Sequence, residues 1–177
     1  MARGALADLF ERDDLAGLYE VAQRSPAKVI RFLVGRLYGS AEGRSPAVRA
    51  LGQVVGDQSL VTEDRAVDQL RRFMWALNDE SGAVPYGVPE AIGEVLVQRP
   101  ELQDAFLPPL CSMLTVAEMA QTGRIERGVV WALGRVGPVV ATCCPEAVAV
   151  IEQAATDHAD EQTRLTAQAA LQVINAR

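Results

Sequence analysis

The sequence predicts an all-α fold, and three observations carry that expectation. Every periodic stretch places apolar residues at i, i+3 and i+4, the spacing of a helix with one buried face. No stretch alternates apolar and polar residues long enough to demand a strand. Apolar residues make up 49% of the 177-residue chain and aromatics only 5%. The core must therefore be aliphatic, and Ala and Leu are the strongest helix formers. The length suits a single domain, residues 1–177, with its own core.

The first stripe runs through Leu6, Leu9, Phe10, Leu15, Leu18, Tyr19 and Ala22. It reads as an N-terminal cap over residues 1–24. Ser25 then stands as N-cap with Pro26 at the first helical position. That helix carries Val29, Ile30, Leu33, Val34 and Leu37 and stops at Gly39-Ser40. Ser45-Pro46 repeats the same opening. Thr62 caps the next helix, whose stripe is Ala66, Val67, Leu70, Phe73, Met74 and Leu77. Pro89-Glu90 opens another. Pro108 and Pro109 are expected near a helix start, and Gly137-Pro138 is a stop signal. Val139–Cys144 is short and reads as a connection. Two further helices complete the chain, giving about nine with short joins.

The formal charge is −6. Residues 1–88 hold 11 basic and 12 acidic side chains, and residues 89–177 hold 6 and 11. A non-specific nucleic-acid binder needs a basic face to neutralise phosphates, so duplex nucleic acid is not an expected partner, although a local Arg patch is compatible with this balance. No apolar run reaches the length of a membrane span, and the N-terminus lacks a signal-like apolar core. A cytoplasmic location is expected. Cys111, Cys143 and Cys144 fit a reducing compartment better than a disulfide framework.

Three segments echo one another: "VRALGQVVG" from Val48, "VWALGRVG" from Val130 and "RLTAQAALQVI" from Arg164. "FLPPLCSML" from Phe106 precedes the second, as an antiparallel partner would. Small Ala and Gly let helices approach, while Leu and Val fill the gap. These segments resemble HEAT repeats. "WALNDESGAVPYGVPEAIGEVL" (Trp75–Leu96) is also similar to a segment of small bacterial HEAT-repeat proteins grouped with bilin-lyase HEAT-like proteins. The resemblance implies a right-handed α-α superhelix of about four helix pairs behind the cap, filling residues 25–177. Its pairs would be 26–38 with 46–57, 63–78 with 89–98, 102–122 with 124–136, and 145–157 with 161–176.

The same stretch is the expected site. The join between its helices is longer than a plain turn. Asn78, Asp79 and Glu80 lie at a helix C-terminus, where the macrodipole disfavours anions. Arg71 or Arg72, a backbone donor or a cationic ligand would offset that. Glu90 and Glu94 share one face of the next helix, and Tyr86 supplies an aromatic surface. Asn78, Asp79, Glu80, Tyr86, Glu90, Glu94, Arg71 and Arg72 are therefore partner-binding candidates. A turn-and-cap network is the plainer reading, and a metal or catalytic site a third.

The other reactive groups point away from catalysis. His158 is the only histidine and reads as a solvated loop residue. Cys143 and Cys144 lack zinc-pair spacing; Cys144 would cap a helix start, where its pKa could fall. No phosphate loop, nucleophile elbow or metal cluster is present. No catalytic residue, metal or cofactor is expected. The reading is a protein–protein interaction scaffold using a groove lined by second helices. The alternatives are a chaperone- or lyase-like subunit acting on a cofactor-bearing protein, implied by the resemblance alone, and a helical-repeat glycosylase, disfavoured by the acidic charge.

Overall fold

Apolar periodicity and proline-started turns build eleven α-helices among the residues that the computed structural model describes: 3–38, 46–78, 86–116 and 123–176. They are α1 (Arg3–Glu11), α2 (Leu15–Arg24), α3 (Pro26–Arg36), α4 (Pro46–Gly56), α5 (Glu63–Leu77), α6 (Val88–Gln98), α7 (Gln103–Thr115), α8 (Arg124–Val136), α9 (Val139–Cys143), α10 (Pro145–Asp157) and α11 (Glu161–Ile174). A 3₁₀ turn, Pro100–Leu102, leads into α7. Among the described residues there is no strand.

Eight of the helices touch in four pairs: α3 with α4, α5 with α6, α7 with α8, and α10 with α11. The second members also touch one another in a row, α4 on α6, α6 on α8, and α8 on α11. The echoed small residues explain this row. A Cβ added to Gly93 would lie 2.8 Å from the Ala132 Cα, and one on Gly134 would lie 2.8 Å from the Ala170 Cα. Backbones this close leave no room for a larger side chain. Fully buried Leu51, Ile92, Leu96 and Leu133 fill the space beside them.

Four local readings change. The first stripe is two helices, because the chain turns at Asp13 with φ 54° and Asp14 caps α2 through the Gly17 N–H at 2.8 Å. Arg49 of α4 grips the Asp13 carboxylate at 2.6 and 2.7 Å, which holds that turn on the body of the protein. Pro108 and Pro109 lie inside α7 rather than near its start. The carbonyls they cannot bond belong to Asp104 and Ala105, both exposed, where water can take them. Val139–Cys143 is a short helix, not an irregular join. Ser25 and Thr62 occupy the predicted cap positions, but neither side chain makes a cap hydrogen bond.

Arg99, which ends α6, is 1% exposed. Its Nε donates to the Val55 carbonyl at 3.1 Å, and a second nitrogen donates to the Val61 carbonyl. A buried guanidinium must be met by acceptors, and here they are the last turn of α4 and the link before α5. Tyr19 secures the same link from the other side, donating its hydroxyl to Asp57. Side-chain hydrogen bonds from Ser59 and Tyr19 hold the Asp57 carboxyl below its ordinary value.

Candidate functional site

The first members of the pairs do not form a closed row. α7 touches both α5 and α10, while α3 and α5 face each other across a groove. The space between them is an open groove of about 570 Å³, within the usual range for binding pockets. Its floor is apolar: Ile30 and Val34 from α3, Phe73 and Ala76 from α5, and Leu60 and Val61 from the link that Arg99 fixes.

Two large aromatic side chains stand at the groove in solvent. Trp75 is 70% exposed and Tyr38 49% exposed. Scattered apolar residues are ordinary on a surface; here two large exposed aromatics line one apolar trough. Arg31, Arg65 and Arg72 also line the groove, against one acid, Asp68. None of these three arginines enters an ion pair among the described residues. On the far side of α3 a second recess is lined by Lys28, Arg31 and Arg36. The α3 helix itself carries three basic residues and no acid. The linings of the groove and of this recess are therefore locally basic, although residues 1–88 as a whole are not.

The helical spacing that makes the groove is simple. Arg65, Gln69, Arg72 and Ala76 recur along one face of α5, about 100° round from the buried stripe of Ala66, Leu70, Phe73 and Leu77. Trp75 stands about 200° from Phe73 and cannot join that stripe.

The predicted site residues scatter. Arg72 lines the groove. Arg71 is exposed and pairs loosely with Asp68 at 3.8 Å. Asn78 is exposed and closes α5 by donating its amide to the Met74 carbonyl at 3.0 Å. Asp79 and Glu80 lie outside the described residues. Tyr86 is half-buried, with the Arg124 guanidinium 5.2 Å above its ring. Glu90 is 2% exposed, so it is out of reach of a surface partner. Its carboxylate occupies the space where a Cβ on Gly128 would sit, 2.8 Å from Oε2. Glu94 is committed to a forked pair with Arg135 at 2.8 and 3.2 Å, and Arg135 also lies over the Trp131 ring. The acids of α6 thus serve the α6–α8 contact. The groove described here lies between two first helices, α3 and α5.

Two further readings change. His158 is half-buried rather than solvated, with Nε2 3.3 Å from a Glu126 carboxylate oxygen. All three cysteines converge where α7 meets α9 and α10. Cys143 and Cys144 sulfurs are 3.2 Å apart, and Cys111 feels both. Burial, then the Cys144 hydrogen bond, pushes Cys143 up to about 12 and Cys111 higher still. Cys144 opens α10 without a side-chain cap bond. Among the described residues no group of His, Cys, Asp or Glu side chains is arranged to hold a metal ion, and no helix is long and apolar enough to cross a membrane. No protein-family model, no curated protein and no solved structure matches the chain.

Proposed function

We propose that the chain is a non-enzymatic protein–protein interaction module built as a HEAT-type solenoid. In this reading four helix pairs follow an N-terminal cap and wind into a right-handed superhelix. The alternating pairing of α3 through α11 and the small-residue contacts within the row of second helices support it.

The observation that carries the functional reading is Trp75. A tryptophan that is 70% exposed leaves a large apolar area in water. Trp, Tyr and Arg are the residue types that dominate binding energy at protein interfaces, and Trp75, Tyr38, Arg31, Arg65 and Arg72 meet at one groove. The test is affinity capture from a native lysate with wild-type protein and with Trp75→Ala plus Tyr38→Ala. A partner held by the wild type and lost from the folded double variant is the expected result. Identical capture by both proteins would remove the groove from the interaction.

A further inference from the structure

The groove has chemistry enough to specify its partner, if it is the docking site proposed above. Its walls are two helices, so no sheet edge offers hydrogen bonds to an extended chain. A docked helix satisfies its own backbone and needs only side-chain complementarity. Arg65 to Ala76 spans about 17 Å, room for about three turns. The trough between Tyr38 and Trp75 accepts apolar side chains at i, i+3 or i+4, and i+7.

Charge decides the rest. Arg31, Arg65 and Arg72 outnumber Asp68, and Asp68 already faces Arg71. The chain as a whole is −6, so this basic rim is a local departure from an acidic background. Guanidinium forks match carboxylates in two-pronged hydrogen bonds. A basic helix would meet like charge at the rim.

We propose that the α3–α5 groove docks an acidic amphipathic helix of another protein, its apolar face between Tyr38 and Trp75 and its carboxylates on Arg31, Arg65 and Arg72. This deepens the docking reading and rests on it.

The test uses the full chain carrying Trp131→Phe, which leaves Trp75 as the only tryptophan. Three synthetic helices about five turns long are titrated against it. One has a Leu face and a Glu face, one has Lys in place of Glu, and one has Glu but no apolar face. Oligo(dT) is the fourth probe. The Leu/Glu helix should shift Trp75 emission to the blue. Its binding should weaken at least about tenfold on R31E/R65E/R72E and fall with added salt. The same reversal should let the Leu/Lys helix bind. Equal binding of the acidic and basic helices, preference for oligo(dT), or an unchanged Trp75 emission would overturn the proposal.

A photo-cross-linking residue at Gln69, which lines the groove, separates this inference from the one beneath it. A native partner cross-linked through an acidic amphipathic segment, and displaced by the Leu/Glu helix, supports both. A partner cross-linked through a segment of any other chemistry refutes the acidic helix and leaves protein docking standing. No cross-link to any protein removes both.

Discussion

Gly93 of α6 and Ala132 of α8 sit so close that a Cβ on Gly93 would lie 2.8 Å from the Ala132 Cα. The obstacle is backbone, which cannot swing aside. Ala is ordinarily better than Gly inside a helix by about 1 kcal/mol, but overpacking a tight contact costs about 1–3 kcal/mol. Gly93→Ala should therefore destabilise the protein by up to about 2 kcal/mol net. At Gly35 of α3 an added Cβ meets nothing within 4 Å, so Gly35→Ala should stabilise by about 0.5–1 kcal/mol. Urea unfolding of the two variants checks both signs, and equal gains would show that α6 and α8 are not in close contact.

Arg99→Met keeps much of the side chain's length and removes its donors. It leaves the Val55 and Val61 carbonyls without the Arg99 bonds in a buried place. Each unmet buried group costs about 1–3 kcal/mol, so for two carbonyls a loss of about 2–6 kcal/mol is expected. The link carrying Leu60 and Val61 should loosen as well. Hydrogen exchange at Val61 should quicken more than exchange in α11, and a uniform change would separate Arg99 from the groove floor.

Most of the helix plan was legible because its signals are local. Pro26, Pro46 and Pro145 each open a helix, and Gly137, with φ 86°, ends α8. The "ALG" and "AAL" small residues do recur where second helices cross, since Gly52 meets Glu94 and Gly134 meets Ala170. The site was less legible. Which first helices leave a gap depends on how α3 and α5 lie relative to each other, and no local pattern records that. Trp75 did carry a signal: it falls off the Ala66, Leu70, Phe73 and Leu77 stripe, which marks it as outward-facing. Glu90 and Glu94 looked like site acids because one helix face carried both, but that face is the one α8 covers. The convergence of Cys111 with Cys143 and Cys144 joins residues more than thirty positions apart and had no sequence signal.

Asp160 makes stability pH-dependent. The Thr163 hydroxyl at 2.7 Å and its backbone N–H at 2.9 Å both donate to the carboxylate and hold its pKa below the ordinary 3.8. A carboxyl depressed in the folded state contributes stability above its unfolded value and loses it as pH falls through the folded one. The loss should begin near about pH 4 and continue below it. In Asp160→Asn the urea midpoint should be lower at neutral pH, and its fall on acidification shallower than in the wild type. Parallel curves for the two proteins would place the acid sensitivity elsewhere.

The thiols should be sluggish. Cys143 is exposed, yet its pKa is pushed up to about 12, and Cys111 and Cys144 are buried. The thiolate is the reactive form, so little of it exists at pH 8. A disulfide reagent should modify Cys143 well below the rate of a free thiol, and Cys111 only on unfolding. Rapid labelling of Cys143 in the folded protein would show that the cluster is open to solvent and ionised.

The basic rim can be read directly from Trp75. With Trp131→Phe in place, all indole emission comes from a side chain beside Arg72 and Arg71 on α5. An exposed indole is open to small quenchers, and local charge concentrates ions of the opposite sign. Iodide should therefore quench Trp75 more strongly than caesium, although the whole chain is −6. The difference should shrink as salt rises and the Debye length falls below about 10 Å. R31E/R65E/R72E should invert the preference without changing the total accessible fraction. If caesium were the better quencher of the wild type, the field at the groove would be acidic, and the case for an acidic partner would fail on charge alone.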